Sequence, residues 1–424
     1  MRRFAFTVGG SLLAVSALAF TACSADIDVF GPTGGGGTGA TSGSGQQSGS
    51  TAQVSSSVSA SSVSATTTTT VSSSSGMSCP QGPDDDVDAD GFSPSQGDCN
   101  DCDPALSPNN VEVPGNGLDD DCSGEIDELF EACDLGLAID DQAPALAANA
   151  IDLCKSSTGP ASWGLASAAW VLADGSAVPS DPGQAQAFHL GHGLLDNFGN
   201  LYIPRFGQKM LALSNAVARD AADPDYVDPN TANGWNVTCG FPPGAPKPSD
   251  CPGAVSGTPN DPVALELVIR VPDNAHGFSF DSNFFSADWP AFVCSAYDDT
   301  FFAHLAPTPP GQPDGQIALY ANGNPVSLNG APFDVCSCMM PPCMAGGKAY
   351  PCSQGDAGLA GTGFEGNAAT GWQTTTSPAP PGGEITLRLG VYDAADAVLG
   401  ASALVDAFDW ITTPGVVVST VSSP

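Results

Sequence analysis

Between Met77 and Asp134 the chain carries seventeen carboxylates and not one Lys or Arg. Such a segment has no compact shape of its own, because like charges drawn together away from water repel by several kcal/mol per pair. It must either stay extended or gather counter-ions, and its order favours the second. Asp86-Val87-Asp88-Ala89-Asp90-Gly91-Phe92 sets oxygen-bearing side chains at alternate positions before a glycine. A second string, Asp119-Asp120-Asp121-Cys122-Ser123-Gly124-Glu125-Ile126-Asp127-Glu128, repeats the idea. Alternation lets a tight loop turn its carboxylates inward, and the glycine relieves the sharp turn. The apolar residue that follows, Phe92 or Ile126, is expected to plug each loop into a small core. Oxygen-only donors select Ca²⁺, or Mg²⁺ less well, over Zn²⁺ or Cu²⁺. The expected ligands are Asp86, Asp88, Asp90, Asp98, Asp101, Asp103, Asp119, Asp121, Ser123 and Asp127. Neither string is an EF-hand: the twelfth position, where a bidentate Glu belongs, is Gly97 counted from Asp86 and Phe130 counted from Asp119.

Bases are scarce everywhere. The 424 residues hold 10 Lys+Arg against 46 Asp+Glu, a formal net charge of −36. A nucleic-acid backbone is thereby excluded as a partner, since no basic patch exists to displace its counter-ions. Fourteen cysteines indicate an oxidising compartment. Spacing suggests Cys99–Cys122, Cys133–Cys154 and Cys239–Cys251 as bridges. The length predicts two or three domains, and 50 Gly with 37 Pro favour turn-rich β structure.

The first 22 residues read as an export signal: Arg2 and Arg3, an apolar run from Phe4 to Phe20, then small residues before Cys23. Phe20-Thr21-Ala22-Cys23 resembles a bacterial lipobox, with Phe20 where the family usually has Leu. The resemblance implies cleavage before Cys23 and acylation of its thiol, with plain secretion as the alternative. Ser24 and Ala25 in place of Asp imply the outer membrane, so outer-membrane lipid is an expected partner and the cell surface or periplasm the expected location. Residues 23–78 are mostly Gly, Ser, Thr, Ala and Val, too poor in apolar surface to offset backbone entropy, and are expected to form a disordered tether.

Residues 79–135 form the acidic module. Gly97-Asp98-Cys99-Asn100-Asp101-Cys102-Asp103-Pro104 and the stretch from Glu112 to Gly117 link the two strings. Together they resemble the MopE-type metal-binding motif family over about 45 residues, two cysteines in register included. Related calcium-bound repeats occur in thrombospondin type 3 modules. The family name invokes copper, but residues 84–134 contain neither His nor Met and export oxidises cysteines, so the reading favours Ca²⁺ and disfavours Cu.

From 136 to 412 short apolar runs alternate with Gly/Pro/Asn turns. Strands are predicted over 264–271, 277–284, 300–305, 317–320 and 384–392, and a helix over 144–155. The fold class is mainly β: a jelly-roll-like sandwich behind a small loop-rich Ca²⁺-binding module, with 413–424 as a disordered tail. Several motifs carry a second resemblance. They are Gly207-Gln208-Lys209-Met210-Leu211-Ala212-Leu213-Ser214, the run from Phe278 through Asp288-Trp289-Pro290 to Asp298-Asp299-Thr300-Phe301, and Asp393 … Asp396 … Leu404-Val405-Asp406-Ala407-Phe408-Asp409-Trp410. These are similar to the choice-of-anchor L domain over some 265 residues. Asp298 and Ala407 replace the family's Asn, and Gly400 replaces its Asp, which weakens any polar site there. The family is defined by varied surface attachment and implies no ligand.

Asp288, Asp298, Asp299, Asp393, Asp396 and Asp406 either converge on a second Ca²⁺ site or serve as turn residues bonding their own backbone. His189 and His192 stand at a spacing near that of zinc ligands, yet no H-E-x-x-H accompanies them, and core packing is the simpler reading. Cys336, Cys338 and Cys343 with Met339, Met340 and Met344 form a soft cluster that suits Cu(I) only if the sulfurs stay reduced. Neither a nucleophile elbow nor a phosphate loop is present. The expected function is therefore non-catalytic: a lipid-anchored surface protein presenting the sandwich to a glycan or protein, for adhesion or surface structure. Metal storage or acquisition, and hydrolysis at an unrecognised carboxylate site, are the rival readings.

Overall fold

A computed structural model describes residues 24–25 and 82–423, apart from 130, 160, 246–247, 252 and 339–341. Cys23, the export signal and nearly all of the tether lie outside the described residues. Strands of three residues or more that build the sandwich are β1 (Gly164–Val171), β2 (His192–Leu195), β3 (Met210–Ser214), β4 (Pro259–Arg270), β5 (Gly277–Ser286), β6 (Thr300–Ala306), β7 (Gln373–Pro378), β8 (Glu384–Ala394), β9 (Ala401–Ile411) and β10 (Ser419–Ser422).

Alternation in these runs does the sorting. In β4, Val263, Leu265, Leu267 and Ile269 are buried while Glu266, Val268 and Arg270 are half-buried, as a one-faced strand requires. Every pairing within the two sheets is antiparallel. In the first sheet β8 lies between β4 and β6, with β1 beyond β4. In the second, β5 lies between β9 and β7, with β3 and β2 beyond β9 and β10 beyond β7. Leu265, Leu387, Phe301, Phe278, Phe280 and Trp410 meet in the core between the sheets. The outer face of the second sheet is buried as well: Phe285, Met210 and Leu404 are covered by Phe198, Tyr202 and Phe364 from crossing loops.

Three expectations need correction. Residues 317–320 form no strand; they hang beside β6 by scattered bonds such as Ile317 N–H to Ala303 O at 2.9 Å, because the turn that reverses the chain, Ala321-Asn322-Gly323-Asn324-Pro325, comes before a ladder can grow. The helix α1 covers only Pro144–Asn149, since Asp152 adopts φ 72° and Cys154 is tied to Cys133. The supposed tail contributes β10, where the Thr420 and Thr375 hydroxyls meet at 3.0 Å and β-branched residues complete the edge beside β7.

A second helix, α2 (Pro182–Leu190), is capped by Asp181, whose carboxylate accepts from the Gly183 and Gln184 amides. It carries His189 and leads directly into His192 at the start of β2. His192 stacks on Trp170 at 3.9 Å between ring centroids and is buried. Among the described residues no helix is long and apolar enough to cross a membrane.

The acidic module is stapled to the sandwich. Asn109 donates to Asp273 at 2.7 Å, and Asn274 exchanges two hydrogen bonds with the Val111 backbone. Trp163 donates its backbone and indole N–H groups to Asn109 and to the Asn110 carbonyl, both at 2.8 Å. Val111 itself enters the sandwich core.

Candidate metal centre

Around the first acidic string the carboxylates accept backbone amides, Asp86 through both oxygens and Asp88, Asp90, Asp98 and Asp101 through one each. Asp86 accepts from the Ala89 and Gly91 amides, Asp88 from Asp90 and Asp90 from Phe92. Asp101 accepts from Val87 at 2.7 Å and Asp98 from Asn100 at 2.7 Å. Gly91 takes φ 101°, the left-handed geometry that lets the loop close. In all of these but Asp86 the second oxygen is left to point inward. Asp88 Oδ2, Asp90 Oδ2, Asp98 Oδ2 and Asp101 Oδ2 are all buried and meet no donor. Asp86, Asp88 and Asp90 place oxygens within 4.8 Å of one another, and so do Asp88, Asp98 and Asp101. Asp88 belongs to both triads. Burial is the largest influence raising Asp90 and Asp98 above the ordinary carboxylate range, and neighbouring aspartates add to it.

A second centre gathers Glu112, Asp119 and Asp121 within the same distance. Asp119 Oδ1 and Glu128 Oε2 are buried there without a donor. Ser123 donates to Glu128 at 2.7 Å and its amide to Asp121 at 3.0 Å, with Gly124 at φ 94° closing the turn onto Asp119. Burial raises Glu112 and Asp121 as well.

The expected ligands divide accordingly. Asp86, Asp88, Asp90, Asp98, Asp101, Asp119 and Asp121 are brought together in these groups. Asp127 is not: its carboxylate accepts from the amides of Gly115, Asn116 and Gly117 and fixes that loop. Asp103 holds a turn through the Ala105 amide. Ile126 does not plug the second loop; it is 61% exposed, because the amide of Asp127 beside it is drawn to Glu112 Oε2. Phe92 and Leu106 are both buried. Glu112 and Glu128 are the residues that sequence reasoning passed over.

Cysteine pairing follows topology. Cys99–Cys122 ties the two centres together, and Cys133–Cys154 ties the module's end to α1. Cys102 is disulfide-bonded too. Cys251 pairs with Cys294 and not with Cys239, since Cys239 is held on the edge beside β4 while Cys294 follows β5. Cys336–Cys352 and Cys338–Cys343 oxidise the soft cluster; Met339 and Met340 lie outside the described residues, and Met344 is exposed.

The sandwich acids also divide. Asp288, Asp299 and Asp393 gather at one end, with Asp396 acting on the first and third. Asp298 turns to the Asn329 amide and the Ser256 hydroxyl. Asp406 is elsewhere, because a bulge in β9 between Asp406 and Asp409 directs it to the Arg205 amide and to Asp152. Beside that bulge a cleft of about 850 Å³ opens between module and sandwich. Glu112 and Glu128 wall one side; Trp372, Phe408 and Trp410 wall the other, with Arg205 and Asp281 paired at 2.9 Å. Leu129, Leu201 and Ile203 at its mouth are 60–76% exposed.

Fold and site together define a mainly β protein with an acidic metal-binding segment. Residues 98–128 match the family described as "Putative metal-binding motif" (Cu-binding MopE). No curated protein matches the chain. Among solved structures, a carbohydrate-binding module dissected for specific mannan recognition is similar over 52% of this chain and 78% of its own, at 11% identity and a TM-score of 0.22. A likeness that slight carries no argument about what this chain binds.

Proposed function

We propose that this chain is an exported surface protein whose acidic module takes up Ca²⁺ and thereby fixes one wall of a ligand-binding cleft. The observation that carries the reading is the set of six buried carboxylate oxygens in residues 88–128 that meet no donor. An unsatisfied buried acceptor costs about 1–3 kcal/mol, and more when charged, so six in one small module call for a cation. Asp86, Asp88, Asp90, Asp98 and Asp101 would hold one ion; Glu112, Asp119, Asp121 and Glu128 would hold the other. Copper does not fit this donor set: residues 84–128 offer no imidazole or thioether, and their cysteines are oxidised.

The export signal and lipobox-like Cys23 support anchorage in an outer membrane, and the motifs shared with choice-of-anchor L domains support a display role without catalysis. Glu112 and Glu128 belong both to the second centre and to the cleft wall, so ion uptake and the shape of the cleft are linked. The cleft's indole faces beside a guanidinium and a carboxylate suit a polar surface ligand, a glycan or a protein loop. The test is native mass spectrometry of the calcium-loaded ectodomain followed by a glycan and surface-protein binding screen in Ca²⁺ and in EDTA. Two bound calcium ions and Ca²⁺-dependent binding support the reading. A protein that holds no calcium, or copper in its place, sinks it.

A further inference from the structure

The far end of the sandwich holds a second group of acids that the chain's own bases do not neutralise. Asp288 follows β5, Asp299 precedes β6, and Asp393 ends β8, so both sheets contribute. A bulge between Val391 and Asp393 re-aims Asp393, while Tyr392 pairs with Thr300 in register and brings the Asp299 side chain alongside. All three are buried, at 3%, 0% and 2% exposure. Asp288 and Asp393 both come within hydrogen-bonding reach of Asp299, carboxyl against carboxyl. Asp299 accepts from the Ala394 amide through Oδ1, but its Oδ2 is buried and meets no donor. The remaining charged neighbours are acidic: Asp396 and Asp298 beside Asp288, Asp396 and Asp261 beside Asp393. Lys348 acts on Asp298.

Three buried carboxyl groups sharing the Ala394 amide, with Asp299 Oδ2 left without a donor, cannot all be ionised in an apolar interior. Either protons or a metal must lie between them. We propose that Asp288, Asp299 and Asp393, with Asp396 at the rim, hold a divalent cation of the Ca²⁺ class that locks the ends of β5, β6 and β8 together. Hard oxygen donors and the lack of nitrogen or sulfur set the class. The three are less tightly drawn than the triads of the acidic module, so the ion closes them around Asp299. This site is independent of the module and of the reading given for it.

The experiment uses the full chain carrying Asp88→Asn and Asp121→Asn, which disables both module centres. The expected result is one Ca²⁺ retained per chain in native mass spectrometry and a melting temperature that rises with added Ca²⁺. Tb³⁺ emission excited through Trp289 and Tyr392, the chain neighbours of Asp288 and Asp393, is expected as well. Adding Asp299→Asn should abolish the ion, the emission and the calcium response. If that variant fails to fold, Asp288→Asn, nearer the surface, should give the same three losses. Shared protons predict the opposite, because Asn imitates a protonated Asp. A background protein that binds no ion, with Asp299→Asn melting at or above it, overturns the proposal.

Discussion

Replacing Asp88 by Asn should change sign with calcium. Asp88 is common to the two triads of the first centre, Asp86/Asp88/Asp90 and Asp88/Asp98/Asp101. At the 4.8 Å outer limit of these contacts, and with the effective dielectric of 20 suited to sites near a surface, each ionised pair repels by about 3.5 kcal/mol. The three pairs of Asp88/Asp98/Asp101 alone then oppose closure by roughly 10 kcal/mol. Against this stand Phe92, Leu106 and Val111, each worth about 1.5–3 kcal/mol when buried. Without a cation the two sides nearly cancel, and the loop stays open much of the time. With Ca²⁺ the same charges become ligands.

The Asp88→Asn substitution removes two of the three repulsive pairs in that triad and also removes one anionic ligand. In EDTA the variant should therefore be better protected from exchange than the parent; in millimolar Ca²⁺ it should be worse, with affinity lowered at least about tenfold, or 1.4 kcal/mol. The assay is hydrogen–deuterium exchange followed over the amides of Val87, Ala89, Asp90, Gly91 and Phe92, all of which donate to these carboxylates. Parent and variant curves that run parallel in the two conditions would refute the electrostatic account, even if both proteins bind calcium.

Three further outcomes are expected. Replacing Cys99 and Cys122 by Ser opens a loop spanning 23 residues and should lower module stability by about 3 kcal/mol, moving the calcium midpoint of exchange protection to higher concentration. Burial holds the His192 imidazole down to about 3, against 6.5 when free, so the folded chain refuses a proton that the unfolded chain takes. Its contribution is intact above pH 6.5 and is lost progressively below it, about 2.7 kcal/mol by pH 4.5, and His192→Phe should erase that slope in urea titrations at the two pH values. Truncation after Gly415 should lower the melting temperature by stripping β10 from β7; an unchanged melt would return the segment to the role of a loose tail.

What could be read along the chain was whatever a few neighbouring residues decide. Alternating aspartates before Gly91 announce an inward-turned loop because the loop is built from those same residues. β4, β5, β6 and β8 were legible from alternation, and α2 was missed because it lacks an apolar stripe and is held by its Asp181 cap and by the packing of Phe188. Glu112 and Glu128 were missed because they reach the second centre through chain reversals, and Asp127 was misjudged because its carboxylate looks back to amides ten to twelve positions earlier. Disulfide partners are set by which loops end side by side, so spacing favoured Cys239 where β5 delivers Cys294. Asp406 was grouped with Asp393 by nearness in sequence, although a bulge sends it to the other end of its strand's surroundings.

The shortage of bases explains why the acids had to be buried in several different ways. Arg205, Arg270, Arg388, Lys209 and Lys348 are engaged with Asp281, Glu384, Glu266, Asp196 and Asp250. Few cations are then left for carboxylates in the interior, where an unpaired charge costs several kcal/mol. Backbone amides serve Asp127 and one oxygen of Asp261, whose carboxyl burial nonetheless pushes up to about 7. Asp152 and Asp406 face each other, and burial raises both carboxyls above the ordinary range. Around Asp88, Asp119 and Asp299 one oxygen of each accepts a backbone amide, while the other is buried without a donor. Divalent ions, as proposed for these oxygens, would neutralise them without drawing on the chain's few bases.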